Sequence, residues 1–290
     1  MKLMSLALAA LMALGLQASA NAASPSTASS TSIQQIRNAT VKIRYGDTVL
    51  LVDPMLAVKG AYPGFPDTYR SELRNPLVEL PFDVAQVLEG VDAVLLTHTH
   101  LDHWDPAAAS LVPKQMPMFV QHEADARLLR EKGFKDVRIL PPSANFGGVK
   151  ISRTAAQHGS TAMYAVEPLA TLLGSVMGFV FEKDGAPTIY LAGDTVWTGD
   201  VQKTIERYAP EVIVLNTGDA RVKGFDTGII MGTGDTSRVH SLAPAAKIVA
   251  VHMDAVNHMT VSRADLRRYV NEKSIQDSVL IPEDGETLTF

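Results

Sequence analysis

Thr97-His98-Thr99-His100-Leu101-Asp102-His103-Trp104-Asp105 is the stretch on which the reading of this sequence turns. It follows Ala93-Val94-Leu95-Leu96, a continuous apolar run of the kind that forms a strand buried on both faces. Three histidines and an aspartate fall within six residues at this strand-to-loop junction. Packing does not explain them, because four ionisable side chains at one buried strand end carry a heavy desolvation cost unless a cation offsets it. In an extended segment residues two apart point the same way, so His98 and His100 can grip one ion. The turn that follows can swing Asp102 and His103 toward a second. So dense a motif predicts a metal site.

Composition agrees. The chain has 290 residues, a formal net charge of −5, 46% apolar and 20% charged residues, eight histidines and no cysteine. This is a globular composition. Without a basic excess the chain is not expected to bind nucleic acid. The missing cysteine excludes disulfides, thiolate nucleophiles and Cys-ligated zinc or iron–sulfur clusters. Any metal must be held by histidine, carboxylate or water.

The first 22 residues read as a secretory signal peptide: Lys2, an apolar run from Leu3 to Leu16, and the cleavage pattern Ala20-Asn21-Ala22. The run is short of the ~20 residues needed to span a bilayer, and no cysteine is present for a lipid anchor. The expected product is periplasmic or secreted, with no stable membrane anchor. Residues 23–32, rich in Ser, Thr and Pro, read as a flexible leader. Residues 33–290 then form one domain.

Along that domain, 34–45 and 48–53 read as strands joined at Gly46-Asp47. A long irregular stretch, 55–81, has prolines at 63, 66, 76 and 81 and aromatics Tyr62, Phe65 and Tyr69. A short helix is expected at 82–89. Further strands are expected at 117–121, 176–182, 187–192, 211–215, 247–252, 277–281 and 286–290, and helices at 122–132, 198–208 and 262–272. The mixture predicts an α/β fold with mixed sheets covered by helices.

His-x-His-x-Asp-His after a hydrophobic strand resembles the signature of the metallo-β-lactamase fold superfamily, a four-layer αββα sandwich. The resemblance extends, in order, to Asp53 in Leu51-Val52-Asp53-Pro54, His158 in Gln157-His158-Gly159, Asp194 in Gly193-Asp194-Thr195 and His252 in Val251-His252-Met253. Within the superfamily the chain is most similar to the bacterial hydrolases grouped with L-ascorbate-6-phosphate lactonase. That similarity rests on Arg37-Asn38-Ala39-Thr40, Asp53-Pro54-Met55-Leu56, Gly60-Ala61-Tyr62-Pro63, Arg74-Asn75-Pro76-Leu77, Ala192-Gly193-Asp194-Thr195-Val196-Trp197 and Asp284-Gly285-Glu286.

The resemblance implies two divalent ions. His98, His100 and His158 would hold one, Asp102, His103 and His252 the other, and Asp194 would bridge them. The ligand types favour zinc, with manganese or iron as alternatives. The implied chemistry is hydrolysis of a small ester, lactone or phosphodiester by a metal-bound hydroxide. Asp102 and His258 are the candidate catalytic residues, His258 as a substrate contact or proton donor. A β-lactamase-type amide hydrolase is the alternative, and Asp194 counts against it; a non-catalytic, metal-stabilised binding protein is another.

Several residues keep two readings. Asp53 either orients a ligating histidine or caps a turn. Trp104 reads as packing, while Trp197 either packs or walls a pocket. Tyr62, Phe65 and Tyr69 form a lid or staple their loop to the core. Asn216, Asp219 and Arg221 are expected near the site rim, Arg221 as an anion contact or a solvated charge. His122 and His240 read as bystanders.

Overall fold

A computed structural model describes residues 31–290. The expected signal peptide and nearly all of the leader lie outside the described residues.

The chain first builds β1 (Ser32–Arg37), β2 (Thr40–Tyr45), β3 (Thr48–Val52), α1 (Val84–Leu88), β4 (Ala93–Leu95), α2 (Pro106–Leu111), β5 (Met118–Val120), α3 (Glu123–Glu131) and β6 (Val137–Ile139). It then builds β7 (Ser143–Phe146), β8 (Val149–Ala155), α4 (Thr161–Tyr164), α5 (Glu167–Leu173), β9 (Met177–Glu182), β10 (Ile189–Leu191) and α6 (Gly199–Tyr208). β11 (Val212–Asn216), α7 (Thr233–Leu242), β12 (Lys247–Val251), α8 (Arg263–Glu272), β13 (Val279–Leu280) and β14 (Thr287–Thr289) complete it. Two seven-stranded sheets result, β14-β1-β2-β3-β4-β5-β6 and β13-β12-β11-β10-β9-β8-β7.

Strand alternation makes the layers. Leu50, Val52 and Leu95 of the first sheet meet Phe179, Leu191 and Val214 of the second in the central core. Their alternates Leu51, Val94 and Val120 face Val87, Ala108, Ala126 and Leu129 on α1–α3. Ile213, Leu215 and Ile248 face Val201, Val239 and Leu266 on α6–α8. This is the four-layer αββα sandwich. Both sheets are mixed: β3 through β6 run parallel, as do β10 through β13. Among the described residues no helix is long and apolar enough to cross a membrane.

The expected strand 34–45 is two strands. Arg37 pairs directly with Thr40 across a tight turn in which Asn38 takes a positive φ of 58°, a conformation that asparagine tolerates better than most residues. The hairpin at Gly46-Asp47 forms as expected, with Tyr45 opposite Thr48. Residues 55–81 hold no helix or strand, only the isolated bridge Tyr62–Asn75 and one from Thr68 to Val222. The sequence reading lacks α2, although Asp105-Pro106 is a helix-start signal. Asp105 caps that helix by accepting from Ala108 N–H at 2.6 Å. The β7–β8 hairpin, β6, α4, α5 and α7 are also additions. Most are short, and the long polar run of α7 hides its apolar stripe.

Candidate metal centre

The first four site elements sit where parallel strands end, the usual place for ligands in sheets of this kind. β3 delivers Asp53, β4 delivers Thr97 and the histidine stretch, β10 delivers Asp194, and β12 delivers His252; β8, running the same way, leads to His158. Asp53 and His252 both take positive φ, 48° and 63°. Such values in non-glycine residues cost energy that the surrounding fold must supply. Gly193, at φ 69°, lets Asp194 turn inward; a Cβ there would lie 2.7 Å from the Met177 carbonyl oxygen.

The structure gathers every residue assigned to the ions. His98, Asp102, His103, His158, Asp194 and His252 are buried, and His100 is half-buried. Their donor atoms fall into three overlapping groups within 4.8 Å: His98–His100–His158, His98–His103–Asp194 and Asp102–His103–His252. Asp194 is central. One of its oxygens lies 3.1 Å from His103 Nε2, 3.6 Å from His158 Nε2 and 3.9 Å from His98 Nε2. The other lies 3.6 Å from His252 Nε2 and accepts from Asn216 Nδ2 at 2.6 Å.

Outer hydrogen bonds orient the rings. The Thr97 hydroxyl donates to Asp53 Oδ2 at 2.6 Å, so it accepts from His98 Nδ1–H at 2.9 Å. His158 Nδ1 donates to the Ile229 carbonyl at 2.9 Å and His100 Nε2 to the Leu172 carbonyl at 2.8 Å. His103 Nδ1 donates to Asp53 Oδ2 at 2.8 Å. Four imidazoles are thereby fixed with the other nitrogen turned inward, the arrangement in which metal-ligating histidines are found. Inward nitrogens approach one another closely, His98 Nε2 to His100 Nδ1 at 2.9 Å and His103 Nε2 to His252 Nε2 at 3.1 Å. Converging nitrogens around buried carboxylates are a donor set that fits divalent cations.

Electrostatics divide the site. Burial holds His98 well below the usual imidazole value, with His103 and His100 adding to the effect. Burial likewise lowers His158, and takes His100 down to about 4. His103 goes the other way. Burial would lower it, but Asp194, Asp53 and Asp102 outweigh burial and raise it well above its usual value. Burial would raise Asp102 and Asp194, but His103 and His252 hold both carboxyls low.

Asp53 takes the orienting position beside His103. Trp104 packs edge-on against Phe134, and Trp197 packs in the outer helix layer beneath Arg238. His122 caps α3 and His240 lies on α7. Tyr62 reaches Asp105 and Tyr69 is exposed, so only Phe65 of the three loop aromatics lines the site. Asn216 touches Asp194. Arg221 does not face the site: its guanidinium is taken up by Asp219 and the Asp226 carbonyl. Sequence reasoning missed the outer contacts Thr97, Leu172 and Ile229, and it missed Asn38, whose Nδ2 donates to the Asp102 carbonyl at 2.8 Å.

Beside the donors lies a cavity of about 380 Å³, walled by Phe65, Leu172, Leu173, Val222 and Ile229, with the buried His258 also in its lining. Burial lowers His258 to about 4, so its ring is neutral near pH 7. No lysine or arginine lines this cavity.

Residues 48–253 match the model of the β-lactamase superfamily domain. The chain belongs to this superfamily. It is 46% identical to the UPF0173 protein YddR of Bacillus subtilis, over 89% of this chain and 99% of the relative. A solved structure from Veillonella parvula, described as a possible metal-dependent hydrolase, matches with 48% identity and a TM-score of 0.89, covering 90% of this chain and 100% of that one. The isothiocyanate hydrolase from gut bacteria of Delia radicum matches with 47% identity and a TM-score of 0.87, over 89% of this chain and 99% of that one. The chain is thus a metal-dependent hydrolase of the UPF0173 family.

Proposed function

We propose that this hydrolase is an exported two-metal enzyme acting on small, neutral, largely apolar electrophiles, with isothiocyanates (R–N=C=S) as the substrate class. The observation that carries this reading is the apolar cavity of about 380 Å³ that opens directly onto the histidine–aspartate cluster and has no cationic side chain in its wall. The isothiocyanate hydrolase similar to this chain supports the choice. Small esters and lactones suit the same walls. A phosphodiester would find no basic partner there, because Arg221 is engaged by Asp219. The signal-peptide pattern of residues 1–22 supports export.

His98, His100 and His158 would hold one ion and Asp102, His103 and His252 the other, with Asp194 between them. When bound, such ions supply Lewis acidity and an acidified water. The protein's own side chains do the rest. Thr97, Asp53 and the Leu172 and Ile229 carbonyls keep the imidazoles in the tautomers that turn a lone pair inward. Phe65, Leu173 and Val222 exclude water and hold the R group. His258, neutral and making no side-chain hydrogen bond among the described residues, is free to exchange one hydrogen bond with the substrate nitrogen or sulfur. In the overall reaction the oxygen of water bonds to the central carbon as the C=N π bond opens, and one proton passes to nitrogen. The C–N bond of the resulting thiocarbamic acid then breaks as its remaining acidic proton passes to nitrogen, giving the amine R–NH2 and carbonyl sulfide.

The test is amine release from benzyl isothiocyanate by the purified protein, with and without chelator and in His98→Ala. Chelator-sensitive release that His98→Ala abolishes is expected. Release that survives both treatments, or none from the metal-loaded protein, overturns the reading.

A further inference from the structure

Residues 62–75 form a loop whose ends meet at one neck and whose middle packs on the 221–223 segment. Tyr62 and Asn75 pair there through both backbone hydrogen bonds, at 2.8 and 2.9 Å. The side chain of Asn257, fully buried, fills the neck. Its Oδ1 accepts from Phe65 N–H at 2.9 Å and from Asn75 Nδ2 at 2.8 Å. Its Nδ2 donates to Thr68 Oγ1 at 2.9 Å and to the Tyr69 carbonyl at 2.8 Å. That is the whole capacity of an asparagine side chain. Its backbone N–H adds a bond to Asn75 Oδ1 at 2.8 Å. From the loop, Arg70 donates to the carbonyls of Asn257 and Met259. The next residue, His258, sets its ring edge-on to Phe65, with centroids 4.8 Å apart, and both line the cavity.

We infer that residues 62–75 are the specificity element of the site: Phe65 is the wall on which the R group rests, and Asn257 is the positioning residue that fixes this wall against His258. The inference rests on the reading of the cavity as the seat of a neutral apolar substrate. A buried amide with every bond made holds its partners in one arrangement, and a truncated one leaves several buried groups unpaired. The four-residue link between His252 and Asn257 also ties the wall to the cluster, so a shift of the loop changes where the R group sits relative to the reacting carbon.

The experiment compares kcat and KM for benzyl and allyl isothiocyanate in the native protein, Phe65→Ala, Asn257→Ala and the double variant. Phe65→Ala is expected to cut the benzyl-over-allyl preference by about tenfold, mainly through KM. Asn257→Ala should move the preference the same way, and the double variant should lose no more than the larger single change. Metal content should match the native protein throughout. An unchanged preference in Phe65→Ala overturns the inference, as do effects that multiply in the double variant or an Asn257→Ala defect confined to kcat with loss of metal. Should Asn257→Ala fail to fold, Thr68→Val removes one of the four bonds together with the bond that the Thr68 hydroxyl donates to the Phe65 carbonyl, and is expected to give a smaller shift in the same direction; no shift overturns the anchoring of the Phe65 wall through Thr68 and Asn257. If the native protein hydrolyses neither isothiocyanate, the proposed function fails separately. The loop is then read from binding of phenylacetonitrile, by ligand-observed NMR. Weakening by about tenfold in Phe65→Ala supports the wall, and equal binding overturns it.

Discussion

The two histidine groups of the centre are built differently. His98, His100 and His158 form the open group. His100 is half-exposed, and two of the three rings are held by backbone carbonyls, those of Leu172 and Ile229. Asp102, His103 and His252 form the sealed group, buried throughout, with His103 clamped between the carboxylates of Asp53 and Asp194. The open group is neutral without metal, because burial and neighbouring imidazoles disfavour charge. The sealed group keeps a proton on His103, because carboxylates surround it. One side of the centre is therefore prepared to receive a cation. The other must exchange a proton for one.

Asp194 lies against both groups, so its removal should break the contrast altogether. Asp194→Ala is expected to lower the metal content of the protein on elemental analysis and to cut kcat/KM by about 1000-fold or more, the scale of losing the metal contribution. Retention of full metal content would show that the two groups load independently of it.

Asp53→Ala strikes the sealed group alone. Loss of an orienting carboxylate should weaken metal binding there by about 10–100-fold, seen in competition with a chromogenic chelator. The site formed by His98, His100 and His158 should keep its affinity. Equal weakening of both would mean that Asp53 supports the whole strand end, through Thr97, rather than His103.

pH separates the groups further. A ligating imidazole must be deprotonated. Because the pKa of His103 is raised, uptake at the sealed group releases a proton below that pKa, and apparent affinity there rises with pH by up to about tenfold per unit. The open group, whose pKa values are lowered, should show little such dependence near pH 7. Calorimetric titration in two buffers of different ionisation enthalpy measures the protons released by each event. The contrast fails if both events release the same number.

The smallest effect should come from Thr97→Val. The Thr97 hydroxyl joins the groups, donating to Asp53 while accepting from His98 Nδ1. Its loss strands part of a buried network and should cost about 1–3 kcal/mol of stability in a denaturant titration, with activity reduced only a few-fold.

Much of this centre is written locally. A strand buried on both faces followed by alternating histidines describes its own geometry, since extended backbone places residues two apart on one side. His158, Asp194 and His252 are single polar residues at three distant strand ends, and only their order made them recognisable. Their meeting depends on parallel strands ending at the same edge of two packed sheets. The break in the expected strand 34–45 had a signal in Asn38, whose short polar side chain suits a left-handed turn. Helix α2 had one in Asp105-Pro106, hidden because the same aspartate closes the metal motif.

What the sequence determined by itself was the α/β class, the dense histidine–aspartate motif and the exclusion of thiol chemistry, because these follow from periodicity and residue type alone. The tertiary structure decided which hydroxyl, carbonyl or carboxylate holds four of the imidazoles. It turned Arg221 toward Asp219 and away from the cavity, and it set Asn257 at the neck of the 62–75 loop. Hydrogen bonds between residues 182 to 192 positions apart leave no local trace in the sequence. Their partners are brought together only when both sheets are packed.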